Sequence, residues 1–290
     1  MALLKALREA PRLLREQPIL FVPMAIFAIL QTPQLFVDTL DPMISIVGSL
    51  LLTGLFVFVT PVFYAGTIGM ANDAAIGSPT SLGRFWSHAK EFYASVLIAY
   101  LFITAVTFGF GFAVSIGVFV AIVAIGAGGG GLPLTLGVGG VIALFVLAFL
   151  IALFAVHFYA HAIAIEGNGP VDGLSRSVTV VRHNLKSVVG YGLVSLVFGG
   201  LFGGVFVLVV TFAFPSAPAP GEPAPMPDLV PALLGSAASI VGTALFMTFF
   251  VVFSVVFYRT LVGADEDASR SNATTTDHGS DEFDTPNPSD

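Results

Sequence analysis

The sequence predicts an all-α, polytopic membrane protein: six transmembrane helices with basic amphipathic surface helices, and both termini on the cytoplasmic side. Three observations predict it. Of 290 residues, 56% are hydrophobic and only 10% charged, against roughly 25% charged in soluble domains. The apolar residues gather in six runs, about 18–37, 43–70, 92–125, 133–165, 188–214 and 231–258. Each is long enough for a helix rising about 1.5 Å per residue to cross a hydrocarbon core about 30 Å thick. The basic residues, finally, fall only in alternate connections. Four precede the first run, Arg84 and Lys90 lie between the second and third, Arg176, Arg182 and Lys186 lie between the fourth and fifth, and Arg259 and Arg270 follow the sixth. The other connections hold only Asp38, Asp41, Glu222 and Asp228, so the positive-inside rule puts both termini and both basic loops in the cytoplasm.

The chain divides into an amphipathic juxtamembrane helix (1–17), a six-helix domain (18–262) and an acidic cytoplasmic tail (263–290). In the first, Leu3, Leu7, Ala10 and Leu14 share a helical face beside Lys5, Arg8, Arg12 and Arg15. Pro11 is expected to split it into two short pieces, because proline lacks the N–H and clashes with the preceding turn. A signal peptide is disfavoured: Pro23 and Pro33 interrupt the next run and no small-residue cleavage pattern follows. Asp38–Pro42 reads as a turn and Gly126–Pro133 as a flexible glycine link. The stretch from Pro215 to Pro231 carries seven prolines and reads as an extended loop. Eight of the 18 carboxylates lie in the last 28 residues. With Phe283 as its sole large apolar residue, that tail is expected to stay unfolded.

The two basic connections resemble one another. An offset of 92 pairs Leu82 with Leu174, Arg84 with Arg176, Lys90 with Arg182, Ser95 with Ser187 and Val96 with Val188. This reads either as an internal duplication or as coincidence in a sequence of few residue types. In the second connection Leu174, Val178, Val181, Leu185 and Val188 form one helical face, with Arg176, Arg182, His183 and Lys186 off it. In the first, the face is Leu82, Phe85, Trp86, Ala89 and Tyr93. Both are expected to lie on the membrane surface, with Trp86 and Tyr93 at headgroup level.

An apolar helix, then Glu166-Gly167, then Gly-x-x-x-x-Leu-x-Arg-Ser from Gly169 to Ser177, then a basic residue before the next span: this arrangement resembles a broad group of six-helix prokaryotic membrane proteins. The group includes the membrane domain attached to some glycerophosphodiester phosphodiesterases. With the acidic Thr/Asp tail and no cysteine, the chain is most similar to an uncharacterised haloarchaeal integral membrane family. The resemblance implies no catalytic residues, since phosphodiesterase activity in those fusions belongs to a separate soluble domain.

The candidate chemistry is sparse. The absence of cysteine excludes disulfides and thiolate sites, and the span centres carry no Asp, Glu, Lys or Arg, which argues against ion coupling through buried carboxylates. His157 and His161, spaced i and i+4, would share a helix face near Glu166. The three are weak candidates for divalent-metal ligands. Hydrogen bonding between helices is the preferred reading, because Glu166 is rotated well away from His161 on a continuous helix. The glycines at 199, 200, 203 and 204, with Gly235, Ser239 and Thr243, suggest close packing of the fifth and sixth spans in preference to a homodimer seam. No cofactor, metal or nucleic acid is expected. The functional expectation is a non-enzymatic scaffold or accessory protein whose Arg84, Lys90, Arg176, Arg182 and Lys186 contact lipid headgroups, anionic ones among them, or a membrane-protein partner. The alternative is a transporter or lipid-translocating protein without ion-coupling carboxylates.

Overall fold

A computed structural model describes residues 2–37, 40–124, 131–213 and 229–277, with backbone alone for 124, 132–135, 229 and 264–277. The elements are α1 (Ala2–Glu16), a 3-10 turn (Pro18–Leu20), α2 (Phe21–Val37), α3 (Pro42–Ala75), α4 (Leu82–Ala124), α5 (Leu132–Ala155), α6 (Tyr159–Glu166), α7 (Pro170–His183), α8 (Leu185–Ala213) and α9 (Leu229–Asp277). There is no strand among the described residues. Six helical stretches are long and apolar enough to cross a membrane: Pro18–Val37, Pro42–Ala75, Leu82–Val123, Leu136–Glu166 (α5 and α6 together), Leu185–Ala213 and Val230–Gly263. These coincide with the six apolar runs, so span number and helical class follow from composition and length alone.

Packing is concentrated at one end of the bundle, here termed the basic end. There α1, the end of α3, the start of α4, α6, α7, the start of α8 and the end of α9 meet. Its centre is aromatic: Phe158, Tyr191, Phe253, Phe257 and Tyr258 are all essentially inaccessible. Tyr191 packs against both Phe253 and Phe257, at 5.3 and 4.8 Å. Toward the other end α4, α5 and α8 present mostly exposed apolar side chains, as surfaces facing hydrocarbon do. α9 is the hub, packing against α1, α2, α3 and α8.

The tightest seam joins α3 to α4. Gly66, Gly69 and Asp73 recur at i, i+3 and i+7 on one face of α3. A Cβ built on Gly69 would meet His88 Cβ at 2.6 Å, and one on Gly66 would meet the Phe85 carbonyl at 2.9 Å. Glycine therefore sets the approach of the two backbones.

Several sequence expectations are corrected. Pro11 does not divide the first segment: α1 is continuous through it, because its buried face of Ala6, Ala10, Leu13 and Leu14 packs on α9 and outweighs one lost hydrogen bond. The first basic segment is the opening of the 43-residue α4 rather than a separate surface helix. In α7 the buried positions are Gly173, Ser177, Val180 and Val181, so of the expected face Val181 and Val188 are buried and Leu174 packs on the core, whereas Leu185 is exposed. The fourth span breaks at 156–158, so His157 and His161 do not share one regular helix. Gly199, Gly200, Gly203 and Gly204 leave open space where a Cβ would stand. α8 instead meets α9 through Phe202 stacked on Phe246 at 4.1 Å and Phe198 near Phe249. α9 continues to Asp277, past the start of the tail expected to be unfolded, since a packed helix propagates at one bond per residue fixed. Asp38, most of the glycine link, the proline-rich loop up to Asp228 and residues 278–290 lie outside the described residues.

Candidate functional site

The basic end is closed by two connections built alike. Asp73 stands in the last turns of α3 and Glu166 ends α6. After each comes a glycine with positive φ, Gly77 at 77° and Gly167 at 74°, which reverses the chain where a side chain would be strained. The next helix then sends an arginine back to the carboxylate. Arg84 grips Asp73 through Nε at 2.9 Å and Nη2 at 3.2 Å, and Arg176 Nε reaches Glu166 Oε2 at 2.9 Å. The paired arginines are two of those aligned by the offset of 92. α9 fastens both: Tyr258 donates to Glu166 and Arg259 to Asn72. His88 Nε2 lies 2.9 Å from Asp73 Oδ2, a further hydrogen-bond partner for a carboxylate only 4% exposed.

The break in the fourth span is held by α7. Ser177, fully buried, accepts from the Phe158 N–H at 3.0 Å and donates to the Ala155 carbonyl at 2.9 Å. One hydroxyl thus supplies a donor and an acceptor where the helical ladder is interrupted. Gly173 lets α7 approach that corner, since a Cβ there would meet Ile163.

The corner opens a cleft of about 340 Å³. One tyrosine from each of four helices lines it: Tyr64 from α3, Tyr100 from α4, Tyr159 from α6 and Tyr191 from α8. His157, His161 and Ser254 join them within walls of Leu, Ile, Val, Met and Phe. His161 Nε2 is 2.8 Å from Ser254 Oγ, while Ser254 donates its single proton to the Val251 carbonyl at 2.9 Å. His161 is therefore the donor through Nε2, and its Nδ1 is left as an acceptor without a partner among the described residues. His157 Nε2 lies 3.3 Å from the Tyr191 hydroxyl. The hydroxyls of Tyr64, Tyr100 and Tyr159 have no hydrogen-bond partner among the described residues.

A second cleft of about 430 Å³ lies farther along α3, α8 and α9, with α2 supplying much of its wall. Its polar lining is Gln31, Thr32, Gln34, Thr53, Ser239 and Thr243. On α3, Asp73, Tyr64 and Thr53 succeed one another at intervals of roughly 14 and 16 Å, taking about 1.5 Å per residue. The bundle thus has an ionic layer, a phenol–imidazole layer and an amide–hydroxyl layer. Neither cleft is lined by Asp, Glu, Lys or Arg among the described residues.

The residues singled out in the sequence are scattered among these features. Arg84 and Arg176 are ion-paired. Lys90 lies 5.4 Å over the Trp86 ring, and Arg182 and Lys186 are exposed. His157, His161 and Glu166 do not converge: each imidazole bonds a hydroxyl, and Glu166 is held by Tyr258 and Arg176. No group of three or more metal-ligating side chains occurs among the described residues. Sequence reasoning missed the tyrosines. The signal was their rarity, six against 28 phenylalanines, because a hydroxyl placed in a span must find a partner.

Six helices long and apolar enough to cross a membrane make this a multi-pass membrane protein. Within that class, residues 1–261 match a family described as a domain of unknown function, DUF7847, and the chain belongs to it. No curated protein and no solved structure matches the chain.

Proposed function

We propose that the chain binds an uncharged amphipathic molecule within the membrane and passes it along the bundle, a carrier role without ion coupling and without catalysis. One observation carries this reading: two clefts follow one another along α3, α8 and α9, lined by hydroxyls, amides and imidazoles with no fixed charge among the described residues. A charged solute would lose its hydration there without a counter-charge, whereas a neutral head with an apolar body matches the walls. That no carboxylate lines either cleft among the described residues fits uncoupled movement. Both termini are assigned to the cytoplasm by the distribution of basic residues, and the acidic, cysteine-free tail suits the high-salt cytoplasm of a haloarchaeal relative. The test is exchange of a labelled neutral lipid between vesicles containing the reconstituted protein and empty acceptors. Faster exchange than in protein-free vesicles, slowed by Met247→Trp at the half-exposed rim of the first cleft, is expected; exchange no faster than in protein-free vesicles would refute the reading.

Scaffolding is favoured by a separate observation. Arg182 and Lys186 are exposed with no carboxylate in ion-pair reach among the described residues, and with Lys90 they are free to meet anionic headgroups. Each such cation contributes about 1 kcal/mol near an anionic surface. Replacing the three by Gln should weaken association of the detergent-purified protein with anionic vesicles at low salt, and unaltered association would remove this role.

A further inference from the structure

Resting on the carrier reading, we infer that the phenol cleft recognises an uncharged lipid head bearing carbonyl oxygens, an isoprenoid quinone or a neutral ester lipid. The inference comes from the hydrogen-bond inventory. Four of the chain's six tyrosines line this one cleft. The Tyr191 hydroxyl is engaged with His157, whereas those of Tyr64, Tyr100 and Tyr159 have no acceptor among the described residues. Phenylalanine, used 28 times in the chain, would give the same apolar wall at each position without a polar atom to satisfy. A phenol O–H in apolar surroundings is costly without an acceptor, and three of them from α3, α4 and α6 face one space. The partner they suit supplies acceptor oxygens.

The remaining groups narrow the class. Among the described residues no Lys, Arg, Asp or Glu lines the cleft, which disfavours phosphate, carboxylate and ammonium heads. The volume of about 340 Å³ is near the small end for ligand sites. It takes a ring or glycerol-sized head and not long chains. Those leave past Leu153, Met247 and Tyr64, the last 39% exposed, into the surrounding hydrocarbon.

The experiment uses the full chain in nanodiscs offered menaquinone, dioleoylglycerol or squalene, the last having no oxygen. Retention is read by native mass spectrometry. One menaquinone or one dioleoylglycerol per chain, with squalene not retained, is expected, and whichever is held identifies the source of the carbonyl. Replacing Tyr64, Tyr100 and Tyr159 together by Phe should lower retention at least tenfold with the melting temperature kept. Should the triple variant fail to fold, Tyr64→Phe alone, at a half-exposed site, should still lower it about threefold. Equal retention of squalene, or undiminished retention by the Phe variants, overturns the carbonyl assignment and leaves intramembrane binding standing. Retention of none of the three, together with no lipid exchange between vesicles, overturns the carrier reading itself.

Discussion

Replacing Ser177 by Ala would remove one oxygen and leave two backbone groups unpaired. The Phe158 N–H and the Ala155 carbonyl flank the interruption between α5 and α6, and the Ser177 hydroxyl bonds both, at 3.0 and 2.9 Å, from a fully buried position. The carbonyl has further lone-pair capacity, so the amide dominates the loss. An unpaired buried donor costs about 1–3 kcal/mol. At about 2 kcal/mol, the corner would open about 30-fold more often, and the melting temperature would fall by about 4–8 °C. The assay is thermal unfolding in detergent combined with hydrogen exchange of the peptide containing Phe158, with the exposed Ser175→Ala as control. Exchange at the corner should accelerate selectively, because the lost bonds are local. A Ser177→Ala variant that melts within about 1 °C of the parent, with Phe158 still protected, would refute this account of how the corner is held. Since His157 and Tyr159 flank Phe158 and line the phenol cleft, the same variant should also weaken ligand retention.

Gly69→Ala should cost about 1–3 kcal/mol by overpacking, because its methyl would meet His88 Cβ at 2.6 Å; Gly109→Ala, with nothing within 4 Å, should be neutral or slightly stabilising, and equal unfolding temperatures would contradict the seam. Arg84→Gln should melt well below Arg182→Gln, since only Arg84 neutralises a buried carboxylate. If the two variants melt together, the pair with Asp73 contributes nothing to the fold.

Much of the architecture was legible because the bilayer imposes a length and an apolarity that composition reports directly. The six runs match the spans. What could not be read were choices made by tertiary contact. Pro11 looks like a break until Ala6 and Ala10 are seen packed on α9. Arg84 and Arg176 look like free surface cations, because their partners Asp73 and Glu166 lie 11 and 10 residues earlier, across a chain reversal. The expected seam at Gly199–Gly204 fails because glycine spacing reports where a close approach is allowed and not where one occurs. Gly66 and Gly69, which do make it, are spaced at three rather than four. The phenol cleft is the most distant from sequence. Its tyrosines are spread from residue 64 to residue 191, and only the folded bundle brings them to one space.

The docking of α1 on α9 has a bearing on synthesis. The two helices stand at opposite ends of the described sequence, and their contact is among the most extensive in the molecule. Until residues near 250–261 leave the ribosome, α1 lacks its principal partner, and its face of Ala6, Ala10, Leu13 and Leu14 must rest on the lipid interface. Such long-range closure forms late and slowly. A chain truncated before α9 would therefore carry its earlier spans but leave its first helix undocked, and its amino end should be cut by protease faster than that of the full chain.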